Sequence, residues 1–295
     1  MRLVTYRRGN RLEAHIGALR NGDDAVLDLA AADPAFAGGN MAALIAGGEA
    51  ILRHARTAVA KAPVVPEAVL CAPIPRPAKN IFCVGKNYHE HAKEFASSGF
   101  DATAKEVVPE APVVFSKPPT SVIGPGEPIP SHLDTSNSTD YEGEIAVVIG
   151  RGGRGIRKAD AYAHVFGYTI VNDVTARTIQ HRHRQWILGK GMDGYCPMGP
   201  AILTADEAGT PPKLAIRTWV NGELRQDAPI EDLIFDIPTL IETISAAITL
   251  EPGDIIATGT PAGVGIGFQP PRFLKVGDVV RIEVPGIGVL ENPVA

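Results

Sequence analysis

The sequence predicts a β-rich α+β fold with a small α/β unit at its head. Three observations carry this expectation. Short apolar or alternating runs recur with Gly or Pro between them, as strands do. Helical periodicity is clear in few places, so the strict strand–helix alternation of a doubly wound sheet is missing. A proline-dense stretch from Pro63 to Pro77 divides the leading residues from the rest.

Taken in order, Leu3–Tyr6 reads as a strand. The runs His15–Leu19 and Ala25–Leu29 flank Asn21-Gly22, a dipeptide that favours a tight hairpin with positive φ. Glu49–Lys61 reads as a helix, because Ile51, Ala55 and Val59 recur at spacing four. The prolines that follow fix φ and remove backbone donors, which makes an extended connector. A domain boundary is expected near residue 75, giving a small unit of 1–75 and a catalytic unit of 76–295. In the second unit strands are expected at Ile81–Val84, Val113–Ser116, Glu142–Ile149, Val165–Val171, Leu214–Val220, Ile255–Thr258 and Val279–Val284. Ile237–Ile248 reads as a helix that Glu251-Pro-Gly-Asp brings to an end.

A chain of 295 residues can bury a substantial core. Its 28 basic and 33 acidic residues leave a formal charge of −5, which argues against nucleic-acid or anionic-membrane partners. No apolar run reaches the roughly 18–20 residues of a membrane span. The start MRLVTYRRGN has no apolar signal-peptide core, so a cytoplasmic location is expected. Cys71, Cys83 and Cys196 are too few and too scattered for a disulfide framework or a thiolate metal site. They read as buried apolar thiols, with a catalytic cysteine as the other option.

The strongest chemical signal is Asp140-Tyr-Glu142-Gly-Glu144 followed by an apolar run. Residues two apart on a strand share a face, so Glu142 and Glu144 project together. Two carboxylates in a partly buried place repel each other and need a cation, a shared proton or a basic partner. Asp173, just after the strand Val165–Val171, offers a third carboxylate. Three oxygen donors without Cys or His favour a hard divalent ion, Mg²⁺ or Mn²⁺, with Ca²⁺ as a further candidate. The bland reading is an exposed acidic edge paired with surface basic residues.

Further along, Asn172-Asp173-Val-Thr-Ala-Arg177, Gly189-Lys190, Pro197-Met-Gly-Pro200 and Thr258-Gly-Thr260-Pro-Ala-Gly follow the carboxylate pair in order. Cys83-Val-Gly-Lys-Asn-Tyr88 with His91-Ala-Lys-Glu94 precedes it, and Pro271-Arg-Phe-Leu-Lys-Val-Gly-Asp with Glu291-Asn-Pro-Val closes the chain. This ordered set, covering about residues 77–295, resembles the fumarylacetoacetate hydrolase family, in its acylpyruvase and fumarylpyruvate hydrolase branch. The resemblance implies a mixed β-sandwich or roll, assembled as a homodimer. It also implies roles. Glu142, Glu144 and Asp173 match the family's metal ligands, and His91 and Glu94 match a water-activating dyad on a lid. Lys190 matches a lysine beside substrate and metal, while Arg177, Gln180 and Thr260 match pocket-lining positions. One position departs, since Thr178 stands where the family pattern carries an acid after the arginine.

The chemistry that this resemblance implies follows from those residue types. A 2-oxo acid chelates a divalent ion, which stabilises an enolate as a Lewis acid. Lys190 adds positive charge beside the developing oxyanion. His91 and Glu94, three apart on a helical turn, share a face, so the acid can orient the imidazole. The expected reaction is hydrolytic C–C cleavage of a small 2,4-dioxo acid of the acylpyruvate type. The alternatives on the same site are an oxaloacetate-type decarboxylase, a hydratase and a 2-hydroxymuconate-type isomerase. The lid, about Tyr88 to Val108, is expected to be mobile without ligand.

Other patterns carry other classes. Gly150-Arg-Gly-Gly-Arg-Gly155 satisfies G-x-G-x-x-G after a strand, a dinucleotide-site signature that would make a nicotinamide-dependent oxidoreductase. A glycine-rich turn with two solvated arginines is the competing reading, favoured because the preceding strand opens with acids and the following segment is short for a crossover helix. His181-Arg-His183 looks like a metal pair, but residues two apart on a helix diverge. Gly259–Gly267 lacks the Lys-Ser/Thr ending of a phosphate loop and reads as a wall of the active site.

Overall fold

The computed structural model describes residues 1–100 and 107–295. It opens on the strands β1 (Arg2–Arg8), β2 (His15–Leu19) and β3 (Val26–Asp28). Three helices follow: α1 (Leu29–Ala32), α2 (Met41–Ala46) and α3 (Gly48–Val59). Asp28 and Asn40 start the first two, each accepting a backbone N–H three residues on, at 3.1 and 2.9 Å. The proline-dense connector holds a short strand, β4 (Ala68–Leu70), which pairs with β1. The β2–β3 hairpin turns through Asn21–Asp24, with positive φ at Gly22 and Asp24.

After residue 75 come β5 (Ile81–Gly85), α4 (His89–Ser97), β6 (Val113–Lys117) and β7 (Val122–Ile123). The next group is β8 (Thr139–Asp140), β9 (Gly143–Ile149), β10 (Val165–Asn172) and β11 (Thr175–Ala176). Two short helices, α5 (Arg177–His183) and α6 (Ile187–Lys190), lead to β12 (Cys196–Thr204) and α7 (Ala205–Ala208). The chain ends with β13 (Ala215–Val220), β14 (Glu223–Pro229), α8 (Ile237–Ala247), β15 (Ile255–Ala257), β16 (Val279–Val284) and β17 (Gly288–Pro293).

Eleven strands form one mixed sheet, in the order β3-β2-β1-β12-β10-β9-β15-β5-β6, with β4 on β1 and β7 on β12. The sheet runs across residue 75, because β1 pairs antiparallel with β12 (Arg2 opposite Leu203). A four-stranded sheet, β14-β13-β16-β17, forms the second layer. Strand β9 shows how the layers meet. Ile145, Val147 and Ile149 pack with Ile216, Val280, Ile282 and helix α8. Ala146 and Val148, on the other face, pack with Leu44, Ile45 and Leu52 of the leading helices. The expected strand-rich α+β fold is the observed one.

The dinucleotide reading is overturned here. β9 and β10 are antiparallel, and Lys158–His164 between them is a 3₁₀ helix. The parallel strand–helix–strand unit that cradles a dinucleotide does not form, and Arg151 and Arg154 are exposed in a glycine-rich turn. The three cysteines are buried, and burial raises the thiol pKa of each. Among the described residues no helix is long and apolar enough to cross a membrane.

Candidate active site

Glu142, Glu144 and Asp173 come together where β9 begins and β10 ends. The Asp173 N–H donates to the Glu142 carbonyl at 2.8 Å, and Glu144 faces Val171 across the ladder. All three are buried, and one oxygen from each lies within 4.8 Å of the others. The exposed-edge reading is thereby set aside. Ligands of one cation at 2.0–2.6 Å must sit within about 5 Å of one another, so the set fits a single hard divalent ion.

Two lysines hold this cluster. Lys190 Nζ donates to Glu142 Oε2 (2.9 Å), Asp173 Oδ2 (2.8 Å) and Thr175 Oγ1 (2.8 Å). Lys117 Nζ donates to Asp173 Oδ1 at 2.6 Å and to the Val174 carbonyl at 3.0 Å. Glu142 also meets Arg177 Nη1 at 2.7 Å. Burial alone would raise the Glu142 carboxyl, but the Lys190 and Arg177 charges outweigh it and hold it well below the ordinary carboxylate range. Glu144 is different. It accepts the Gly259 N–H at 2.8 Å and, among the described residues, forms no ion pair. Burial, then the charges of Asp173 and Glu142, push its carboxyl well above the usual range. With Arg177 shared between Glu142 and Asp140, each buried carboxylate here has a cationic partner except Glu144. A divalent cation held by the three carboxylates would supply the counter-charge that Glu144 lacks.

The proposed dyad faces the same pocket. Asn87 fixes the entry to α4: its Nδ2 donates to the Phe235 and Thr258 carbonyls (3.1 and 2.7 Å) and its Oδ1 accepts the Phe235 N–H (2.8 Å). On the helix, His91 Nδ1 lies 3.1 Å from Glu94 Oε2, and Glu94 Oε1 accepts the Gly263 N–H at 3.0 Å. His91 is 4% exposed, which excludes the reading of a solvated helix histidine. Its ring stacks on Phe95, which meets Trp186 edge-on. The expected lid thus includes an ordered helix, while residues 101–106 of it lie outside the described residues.

The Gly259–Gly267 stretch borders this pocket: Thr260 lines it, and the Gly259 and Gly263 N–H groups bond Glu144 and Glu94. Gly263 has φ of +104°, and a Cβ there would collide with the Arg225 carbonyl. A Cβ on Gly267 would collide with the Glu94 carboxylate. Thr260 Oγ1 accepts Gln226 Nε2 at 2.7 Å, which leaves its own hydroxyl hydrogen to donate. Arg177 is buried, and Asp140 Oδ2 accepts its Nε at 2.9 Å. Gln180 Oε1 lies 3.4 Å from Arg177 Nη1. Arg177 Nη2 is buried and has no hydrogen-bond partner among the described residues. Thr178, in place of the family acid, donates its N–H to Ser138 Oγ. The support for Arg177 therefore comes from Asp140.

Every site residue expected from the sequence other than Asp173 and Glu94 lines one pocket: His91, Glu142, Glu144, Arg177, Gln180, Lys190 and Thr260, with Phe95 and Trp186. Asp173 and Glu94 touch it from behind, through Lys190 and His91. About 10 Å³ of free space remains inside, room for roughly one water molecule. His181 and His183 lie on the exposed side of α5, away from any such cluster. Sequence reasoning missed Lys117, Asn87 and Gln226. Lys117 left a faint signal, a lone charge in phase with the apolar Val113 and Phe115.

The family pattern described as fumarylacetoacetate (FAA) hydrolase C-terminal matches residues 80–295. The oxaloacetate tautomerase YisK of Bacillus subtilis is 49% identical over 267 residues, which cover 87% of this chain and 86% of that protein. Among solved structures, the fumarylacetoacetate hydrolase of Exiguobacterium antarcticum superposes with a TM-score of 0.83 at 38% identity, covering 100% of this chain and 99% of that one. The maleylpyruvate hydrolase of Sphingobium sp. SYK-6, in complex with manganese(II) and pyruvate, gives 0.78 at 32% identity, with 100% and 99% covered.

Proposed function

The chain belongs to the fumarylacetoacetate hydrolase family, and from that premise we propose that it interconverts the enol and keto forms of oxaloacetate or a closely similar 2-oxo diacid. One observation carries the reading. The His91–Glu94 pair and the three-carboxylate cluster face each other across a single pocket floored by Lys190 and Arg177. The similarity to YisK supports the choice of substrate.

Going from enol to keto removes the proton of the C2 hydroxyl and places one on C3, with no net change of atoms. A divalent ion held by Glu142, Glu144 and Asp173, when bound, supplies Lewis-acid stabilisation at the C2 oxygen. Lys190 adds ammonium charge beside that oxygen. Glu94 faces His91 Nδ1 and leaves Nε2 to carry the proton to or from C3. Arg177 Nη2, a buried donor with no partner of its own, takes a substrate carboxylate, and the Thr260 hydroxyl donates a second bond. Gln180 lines the side of the pocket next to Arg177.

A second reading, C–C cleavage of a 2,4-dioxo acid, is favoured by the likeness to the SYK-6 maleylpyruvate hydrolase. There His91 would deprotonate water, hydroxide would attack the 4-oxo carbon, and the 2-oxo acid enolate would leave. One assay separates the two. With Mg²⁺ or Mn²⁺ the enzyme should speed the loss of enol absorbance from oxaloacetate, and chelator should abolish this until metal is restored. Full activity in metal-free protein would sink the mechanism. Acylpyruvates run in parallel, with released pyruvate measured, score the hydrolase.

Gly267→Ala tests the dyad from outside it. The added methyl group should push the Glu94 carboxylate away from His91. We expect kcat to fall about tenfold, part of the 10²–10⁴ that a positioned acid–base group contributes, with the urea midpoint little changed. Unchanged kcat would mean that Glu94 does not support His91.

A further inference from the structure

Asp140 is fully buried, and no step described above uses it. Its Oδ2 accepts Arg177 Nε at 2.9 Å and the Ile266 N–H at 3.1 Å. Its Oδ1 accepts the N–H groups of Gly265 at 2.7 Å and of Tyr141 at 2.9 Å. Four donors thus converge on one carboxylate: the arginine in the pocket, two N–H groups of the glycine-rich wall and the N–H of the next residue, Tyr141. The same wall, two residues earlier, gives the Gly263 N–H to Glu94.

A guanidinium is a rigid planar fork, so fixing two of its corners fixes the third. Asp140 holds Nε and Glu142 holds Nη1, at 2.9 and 2.7 Å. Nη2 is left as the donor with no partner. Glu142 also answers to Lys190 and sits in the carboxylate cluster. Asp140 has no such competing cation among the described residues, so it is the steadier of the two anchors.

We propose that Asp140 is a positioning residue that acts through Arg177: it aims Nη2 at the substrate carboxylate and ties that aim to the wall on which Glu94 rests. The inference rests on Arg177 being a substrate contact. It adds that the arginine's direction is set by Asp140 and that the arginine and the lid acid share one backbone support.

The test is a double-mutant cycle read by calorimetry on Mn²⁺-loaded protein, with oxalate as the probe. Oxalate offers the chelating carboxylate end of a 2-oxo acid without turnover. Asp140→Asn should weaken oxalate binding about tenfold, in line with a lost charge-assisted bond. Arg177→Lys should do the same, and the double variant should be little weaker than Arg177→Lys alone, because residues acting as a unit are non-additive. Mn²⁺ affinity without oxalate should stay within about twofold. A merely structural Asp140 would lower the melting temperature without this coupling. Oxalate binding at the wild-type level in Asp140→Asn, or effects that multiply in the double variant, would overturn the proposal. Should Asp140→Asn not fold, Asp140→Glu enters the same cycle, with the same outcomes on either side. Failure of the wild type to act on enol-oxaloacetate overturns the tautomerase reading and leaves the cycle to be judged separately.

Discussion

Replacing His91 with alanine is expected to lower kcat for enol–keto interconversion by roughly 10²–10⁴, the usual worth of a positioned proton carrier. Metal affinity should barely move. His91 sits on α4 and bonds to Glu94, whereas the three candidate ligands sit just before β9, on it, and just after β10. Metal titration followed by steady-state kinetics checks both halves. A His91→Ala enzyme running near the wild-type rate would leave the helix as packing alone, since His91 also stacks on Phe95. A variant that loses acylpyruvate hydrolysis yet keeps enol–keto activity would assign the dyad to water rather than to C3.

Glu144→Gln should behave in an unusual way. Activity should disappear together with the rise in melting temperature that Mn²⁺ gives the wild type. The metal-free variant should nevertheless be at least as stable as the metal-free wild type. Glu144 is 1% exposed and, among the described residues, has no ion-pair partner. Burial and the neighbouring carboxylates already push this carboxyl toward its neutral form, so the amide breaks no stabilising charge pair, and it still accepts the Gly259 N–H. Asp173→Asn gives the contrast. It leaves Lys117 buried without its carboxylate, so its metal-free form should melt lower. If Glu144→Gln proves strongly destabilised without metal, Glu144 has a counter-charge that the ion pairs do not reveal.

The sequence made some of this plain because burial there leaves a period. Glu142 and Glu144 two apart, followed by Ile145–Ile149, announce a strand with an acidic end. His91 and Glu94 announce a helical face. Strand β12 leaves no such mark. It carries Pro197, Gly199 and Pro200, and all nine of its residues are buried, so no alternation survives. Strands β14 and β17 were also hidden, being polar along one side and ending in a proline. Helices α1 and α2, at four and six residues, are too short to show a period. The pairing of β1 with β12 joins residues some two hundred positions apart, which no local pattern reports. Lys117 escaped for the same reason. Its meaning lies in Asp173, fifty-six residues away.

The space left between the dyad and the carboxylates is about 10 Å³, far below the several hundred that a site around a ligand usually encloses. His91 and Phe95 of α4 fill part of that space. Admitting a substrate there would require α4 to move, which would make the nine-residue helix that carries His91 also the door. The two duties exclude each other in time. With the door open, His91 would be away from the reaction and Glu94 would have left the Gly263 amide. While it is shut, bulk water has no room to enter beside an enolate. The chemistry would then run only in the interval that excludes the solvent most apt to divert it.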